Sequence, residues 1–173
     1  GIIEEVGPGV KDFKVGDEVY YTPEIPGKIG SYGEYHVANE AIVARKPSNL
    51  TFIEAATIPL AGGTAWDALI TRSRLQVSET VLIHGGTGGV GSLAVQIAKA
   101  AGAYVFATGS AKKAALAQDL GVDRFIDYGK EDFADVIAKK TGGAGIDVVF
   151  DTVGGENLAR SIPIMRMYGR MVS

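Results

Sequence analysis

The run VLIHGGTGGVGSLAVQIAKAAGA, residues 81–103, decides the architecture. Residues 81–84 form a short apolar stretch, and Gly86-Thr87-Gly88-Gly89-Val90-Gly91 follows it as a GxGxxG pattern. From Gly89 onward, Val90, Leu93, Ala94, Ile97, Ala98 and Ala101 recur at the spacing of one helical face. Gly102 is the natural stop for that helix. A glycine pattern alone is weak evidence in a chain with 24 glycines among 173 residues. Its place between a strand and a helix changes its meaning, because that is where a dinucleotide pyrophosphate is held. Gly86 permits the tight turn, Gly88 lets backbone approach the phosphates, and Gly91 lets helix and sheet pack closely. The helix N-terminus then offers unpaired N–H groups and a partial positive charge. A P-loop is the rival phosphate cradle, with Gly86 and Gly91 at the required spacing, but Ser92 stands where its lysine should be.

Working outward, the same texture continues. Residues 104–108, 124–127, 148–151 and 170–173 read as strands. Weaker helices over 111–120, 132–141 and 156–167 lie between them, the last kinked at Pro163. Alternating strands and helices with short connections predict an α/β doubly wound parallel sheet of Rossmann type over residues 51–173, in the strand order 3-2-1-4-5. A helical texture over 55–75, interrupted by Pro59 and Gly62-Gly63, leads into it. Residues 1–50 differ. Short β-rich runs at 2–6, 18–22, 35–39 and 41–45 are separated by Gly and Pro signals, among them Gly7-Pro8-Gly9, Gly16-Asp17 and Pro26-Gly27. They predict part of a β-barrel.

The second strand bears on which dinucleotide is held. An NAD site places an acid about 20 residues past the fingerprint, and this chain has Thr108-Gly109-Ser110-Ala111-Lys112-Lys113 there. A small hydroxyl and two ammonium groups repel no 2′-phosphate, so NADPH is the expected cofactor. The alternative is that Lys112 and Lys113 are the solvated start of a helix, although cations at that end oppose the helix dipole.

Composition excludes other classes. A net charge of −3 argues against a nucleic-acid partner, and no apolar run approaches the length of a membrane span. With no cysteine there is no disulfide, thiol nucleophile or cysteine metal cage, a composition at home in the cytoplasm. His36 and His84 lie on separate expected strands without a second ligand at metal spacing, so they read as packing or hydrogen-bonding histidines and no metal site is expected. There is no Tyr-x-x-x-Lys pair and no Gly-x-Ser-x-Gly elbow, and Asp147 with Asp151 makes no convincing carboxylate dyad. No catalytic residue is named.

The runs VKDFKVGDEVY (10–20), SYGEYHVANE (31–40), EAATIPLAGGTAWDAL (54–69), GIDVVFDTVGG (145–155) and YGRMVS (168–173), taken with 81–103, resemble the medium-chain dehydrogenase/reductase superfamily, in its zinc-independent quinone oxidoreductase branch. The resemblance implies that residues 1–50 are part of a GroES-like catalytic domain and residues 51–173 an incomplete dinucleotide-binding domain. It implies that the chain is the middle of a longer one, for which a homodimer is open. It places Thr87, Gly89 and Val90 with the fingerprint glycines on the pyrophosphate, Ser110 and Lys113, beside Gly109, on the 2′-phosphate, Tyr128 beside the adenine ribose, and Thr64 near the nicotinamide. Tyr128 reads equally as a half-buried aromatic at a strand end, and Thr64 as a helix N-terminal residue. The zinc-dependent members carry a cysteine-rich loop where this chain has TPEIPGKIGS (22–31). The implied activity is hydride transfer from NADPH to a small electrophile, a quinone or conjugated enone, with the proton drawn from solvent. A zinc-type alcohol dehydrogenase relative, an enoyl reductase module, whose members usually depart from the DTVGG of residues 151–155, and a non-catalytic NADPH-binding protein are the alternatives.

Overall fold

A computed structural model describes residues 1–23 and 30–173. The chain divides into two compact units, residues 1–60 and 61–173, each treated on its own. The division falls ten residues past the change in texture, inside a helix (α2, Ile58–Trp66).

The second unit is built on a five-stranded parallel sheet. Its strands are β3 (Thr80–His84), β4 (Tyr104–Gly109), β5 (Arg124–Asp127), β6 (Ile146–Asp151) and β7 (Met165–Val172), in the order β5-β4-β3-β6-β7. This is the predicted 3-2-1-4-5 sequence, with the order reversing at β3. Register places Val81 beside Val105 on one side and Val148 on the other. Successive side chains alternate between faces, so one strand feeds two cores. Val81 and Ile83 join Leu69, Ala94, Val95 and Ala98 on one face. Leu82 joins Phe106, Ile126, Phe133, Ile137 and Val149 on the other. Helix α3 (Gly89–Ala100) covers the first face and α5 (Phe133–Thr141) the second, each presenting its apolar stripe. Asp132 caps α5 by accepting the N–H of Ala134, and Gly142, at φ 61°, ends it in the left-handed conformation.

Away from the loop ends that carry the glycines, Asp147 locks the sheet. Its carboxylate accepts from the Thr80 N–H and hydroxyl at 2.9 and 2.8 Å and from Arg166 at 2.6 Å. Asp147 therefore ties β3 to β6 and β7, while Asp151 stands at the other end of β6.

Three expectations are corrected here. Pro59 and Gly62-Gly63 do not interrupt the helix: Pro59 occupies the first turn of α2, where no N–H is needed, and the helix continues as i→i+5 bonded turns over Asp67–Arg72. The expected kinked helix over 156–167 ends at Ser161 as α6 (Glu156–Ser161). Pro163 enters a single 3-10 turn, and β7 starts at Met165 opposite Ile146. Helix α4 is shorter than expected, Ala114–Asp119 after a 3-10 turn at Ala111–Lys113.

The described residues of the first unit form no barrel. β1 (Val19–Tyr20) pairs antiparallel with β2 (Ala44–Arg45), and Ile2 bridges Glu18. The runs at 2–6 and 35–39 are not strands, because a strand exists only where a neighbour accepts its hydrogen bonds. The Pro26-Gly27 signal lies outside the described residues. Helix α1 (Phe52–Ala56) begins in a capping box, Thr51 and Glu54 each taking the other's backbone N–H. Among the described residues no helix is long and apolar enough to cross a membrane.

Candidate functional site

The glycine loop leaves the C-terminal end of β3, where the strand order reverses. Gly85 opens it at φ 68°, and the Gly88 N–H closes the turn on the Gly85 carbonyl at 2.9 Å. Gly85 lies one residue before the GxGxxG spacing, which does not mark it. A Cβ on Gly86 would lie 2.6 Å from that of Ala107, and one on Gly91 only 2.1 Å from the Gly85 carbonyl oxygen. Neither space can be opened without moving backbone. A Cβ on Gly89 would meet nothing within 4 Å, so the chain itself imposes no glycine there. The first helical bond of α3 runs from Ser92 N–H to Gly88 O at 2.9 Å, which leaves the N–H groups of Gly89, Val90 and Gly91 directed out of the helix end.

The second part of the site forms at the ends of β4 and β5. A Cβ on Gly109 would lie 2.7 Å from the Phe125 ring and 3.1 Å from the Thr87 hydroxyl, so glycine here lets the end of β4 pass beneath Thr87. Ser110 leads into the turn Ala111–Lys113, and the Lys113 N–H bonds the Ser110 carbonyl at 2.8 Å. The Tyr128 N–H bonds the Gly109 carbonyl at 3.2 Å. Backbone bonds thus bring Thr87, Gly109, Ser110, Lys113 and Tyr128 to one end of the sheet. Lys112, Lys113 and Tyr128 are exposed. The alternative of a half-buried Tyr128 fails, since 67% of it is exposed. Thr64 is exposed on α2, whose Ala65 is buried with Ala94 and Val95 of α3.

His84 is almost fully buried. Its Nδ1 lies 3.3 Å from the Thr108 hydroxyl and its Nε2 2.9 Å from that of Ser161, and the Phe133 ring meets it edge-on at 4.7 Å. Burial pushes the imidazole below its usual value of about 6.5, outweighing the attraction of Asp151. Asp151 uses one carboxylate oxygen to accept the N–H groups of Val153 and Gly154, both at 2.9 Å, and shapes the turn after β6. Its other oxygen is buried without a hydrogen-bond partner. His36, in the first unit, has Nδ1 2.8 Å from the Tyr21 hydroxyl, a pairing that no sequence spacing announced. Among the described residues no group of three or more His, Asp or Glu side chains could hold a metal ion.

Spaces that a Cβ would fill, with free N–H groups at a helix end, fit a dinucleotide pyrophosphate. The fold is a Rossmann-type α/β unit. Residues 89–173 match the family described as zinc-binding dehydrogenase. The phthioceranic/hydroxyphthioceranic acid synthase of Mycobacterium tuberculosis is 37% identical over 174 residues, covering 99% of this chain and 8% of the synthase. The chloroplastic NADPH-dependent alkenal/one oxidoreductase of Arabidopsis thaliana is 38% identical over 180 residues, covering 100% of this chain and 44% of that protein. Among solved structures, an alcohol dehydrogenase superfamily protein from Novosphingobium aromaticivorans superposes with a TM-score of 0.93 at 39% identity, over 99% of this chain and 52% of the other. The quinone oxidoreductase of Pseudomonas syringae pv. Tomato DC3000 gives a TM-score of 0.88 at 39% identity, over 100% and 53%. The chain belongs to the medium-chain dehydrogenase/reductase superfamily. It spans about half the length of these solved relatives, and less of the curated ones.

Proposed function

We propose that this chain is the nucleotide-binding part of an NADPH-dependent, zinc-independent reductase acting on a small electrophile, a conjugated enone or a quinone. The observation that carries this reading is the convergence of Ser110, Lys113 and Tyr128 beside Gly109, next to the glycine cradle. The acid in register there, Asp127, accepts the Gly129 N–H at 3.1 Å, and Lys113 supplies the opposite charge. Gly86, Gly88 and Gly91 shape the cradle, and Thr87, Gly89 and Val90 line its rim. The Ser110 hydroxyl and Lys113 ammonium offer charge-assisted hydrogen bonds to a 2′-phosphate, and Thr64 is assigned to the nicotinamide side. When bound, the reduced nicotinamide supplies the hydride, and solvent supplies the proton. The chain's own residues hold and orient the dinucleotide. The absence of cysteine supports the zinc-free assignment, since the thiolate ligands of a structural zinc loop are missing from this stretch.

The likeness of nearly the whole chain to the solved CurK enoyl reductase, 38% identical with a TM-score of 0.87, favours a second reading, an enoyl reductase unit whose acceptor is an enoyl thioester. It shares the same chemistry, hydride addition to a conjugated alkene. Assaying NADPH oxidation with a quinone, an enone and an enoyl thioester separates the two readings, and no turnover with any of them would favour a binding protein.

The cofactor assignment is tested by titrating the protein with NADPH and NADH. NADPH is expected to bind about tenfold more tightly or better, from 2′-phosphate contacts worth about 1.5 to 3 kcal/mol, and Lys113→Ala is expected to remove most of the difference. Equal affinities in the wild type, or an unchanged ratio in the variant, would end the argument.

A further inference from the structure

His84 links the glycine turn, the end of β4 and the turn after β6 at one point, a role distinct from contact with the dinucleotide. We propose that His84 is a positioning residue that sets the glycine turn and its two neighbouring strand ends by holding Thr108 on one ring nitrogen and Ser161 on the other. The proposal rests on reading the glycine loop as a dinucleotide cradle.

The Thr108 hydroxyl accepts the N–H of Gly85 at 3.1 Å, and Gly85 is the residue on whose carbonyl the turn closes. The single proton of that hydroxyl is then available to His84 Nδ1 at 3.3 Å. With that proton given to Nδ1, the ring proton sits on Nε2 and is donated to Ser161 Oγ at 2.9 Å, the tautomer this proposal assigns. This arrangement fixes the rotamer of Thr108, and Thr108 fixes the first N–H of the turn. Thr108 also precedes Gly109 and Ser110, where the 2′-phosphate is assigned, and its carbonyl accepts the Gly86 N–H at 3.0 Å.

The third loop joins through the backbone of the same residue. The Thr152 hydroxyl donates to the His84 carbonyl at 2.7 Å, and Asp151, in register beside His84, shapes residues 152–154. Helix α6 is held by Ser161 and by Arg160, whose guanidinium lies over the Phe133 ring and pairs with Asp132. An apolar residue of similar bulk at position 84 could fill the space but could hold neither hydroxyl. Core packing alone therefore does not account for a histidine here, whereas positioning does.

The test is equilibrium binding of NADPH to the wild type, His84→Leu, Thr108→Val and the double variant, followed by cofactor fluorescence. Each single variant is expected to raise the dissociation constant about tenfold, the effect of one or two lost hydrogen bonds. The double variant is expected to be no worse than either single one, because both break the same chain. His84→Asn places an amide oxygen near the Nδ1 position, so it should recover affinity to within about threefold of wild type. A residue with only a packing role would lower the melting temperature and leave the dissociation constant of the folded protein alone. NADPH affinity unchanged in His84→Leu, strict additivity, or no recovery in His84→Asn would overturn the proposal. If His84→Leu does not fold, the near-isosteric Thr108→Val carries the same test. A wild type that binds neither NADPH nor NADH would instead overturn the reading of the loop as a dinucleotide cradle, and this proposal with it.

Discussion

In residues 61–173 all six residues of β6 are buried, and Val81, Leu82 and Ile83 of β3 have no exposure at all. In residues 1–60, Tyr35, Val37 and Ile53 are 76%, 81% and 83% exposed, and Val19 and Ala55 are the buried apolar residues among those described. Both stretches are rich in apolar residues, so composition does not separate them; what does is pairing. A parallel strand flanked by two others and covered on both faces withdraws every side chain from water. A two-residue antiparallel pair covers almost nothing. The first unit is held by polar contacts instead: Asp17 takes Lys14 and Arg45, Glu40 takes two backbone N–H groups, and Glu54 caps α1.

The largest expected effect tests the glycine loop of the second unit against itself. Gly91→Ala drives a methyl into the Gly85 carbonyl at 2.1 Å, where only backbone could yield, and should cost about 4 kcal/mol or prevent folding. Gly89→Ala meets nothing and should raise stability by about 0.5 kcal/mol, as alanine does in a helix. It should still weaken NADPH binding, because the added methyl projects at the helix end where the pyrophosphate is assigned. Thermal melts and NADPH titration of both variants check this. An alanine at 91 that folds normally would refute the packing argument, and undiminished binding at 89 would move the phosphates elsewhere.

A smaller effect compares the two units directly. Ile83→Ala removes a fully buried side chain from the core beneath α3 and is expected to cost about 3 kcal/mol in urea unfolding. Val37→Ala should cost less than about 0.5 kcal/mol, since most of that side chain is already in water. Comparable losses at the two positions would mean that Val37 is covered in solution and that the contrast between the units is false.

These differences follow what the sequence made legible. The apolar spacing of residues 90–101 and the run at 81–84 reported burial and period together, so strand, turn, helix and sheet order were all readable. The run at 35–39 is equally rich in strand formers but forms no strand, because pairing depends on a partner that local sequence does not specify. At 163 the local pattern predicts a kink inside a helix, whereas the helix ends at Ser161 and the proline sits in the turn beyond it, since the register of Met165 against Ile146 lies outside any local pattern. Within the candidate site the glycines were legible because they have a spacing. Gly85 was hidden beside them, and the Thr108–His84–Ser161 chain joins residues 24 and 77 positions apart, beyond the reach of any motif.

The smallest effect concerns how residues 1–60 are held together. Asp17 has its carboxyl pulled down to about 2, first by the side chain and backbone N–H of Lys14 and then by Arg45, with burial opposing. The folded value lies below the unfolded one of about 3.8, so the contribution to stability is complete above that value and is lost as pH falls toward 2. A carbon-detected titration of the Asp17 carboxyl should show its midpoint near 2 in the wild type. Lys14→Ala should move the midpoint back toward the ordinary value, and Arg45→Ala should move it less. At pH 3, backbone amide exchange at Val19 and Tyr20 should quicken in the Lys14 variant while β3 and β6 remain protected, since their burial involves no group that titrates through Asp17. If the Asp17 midpoint is ordinary in the wild type, or if β3 loosens together with β1, then polar contacts do not hold the first unit, and the contrast with the buried sheet needs another cause.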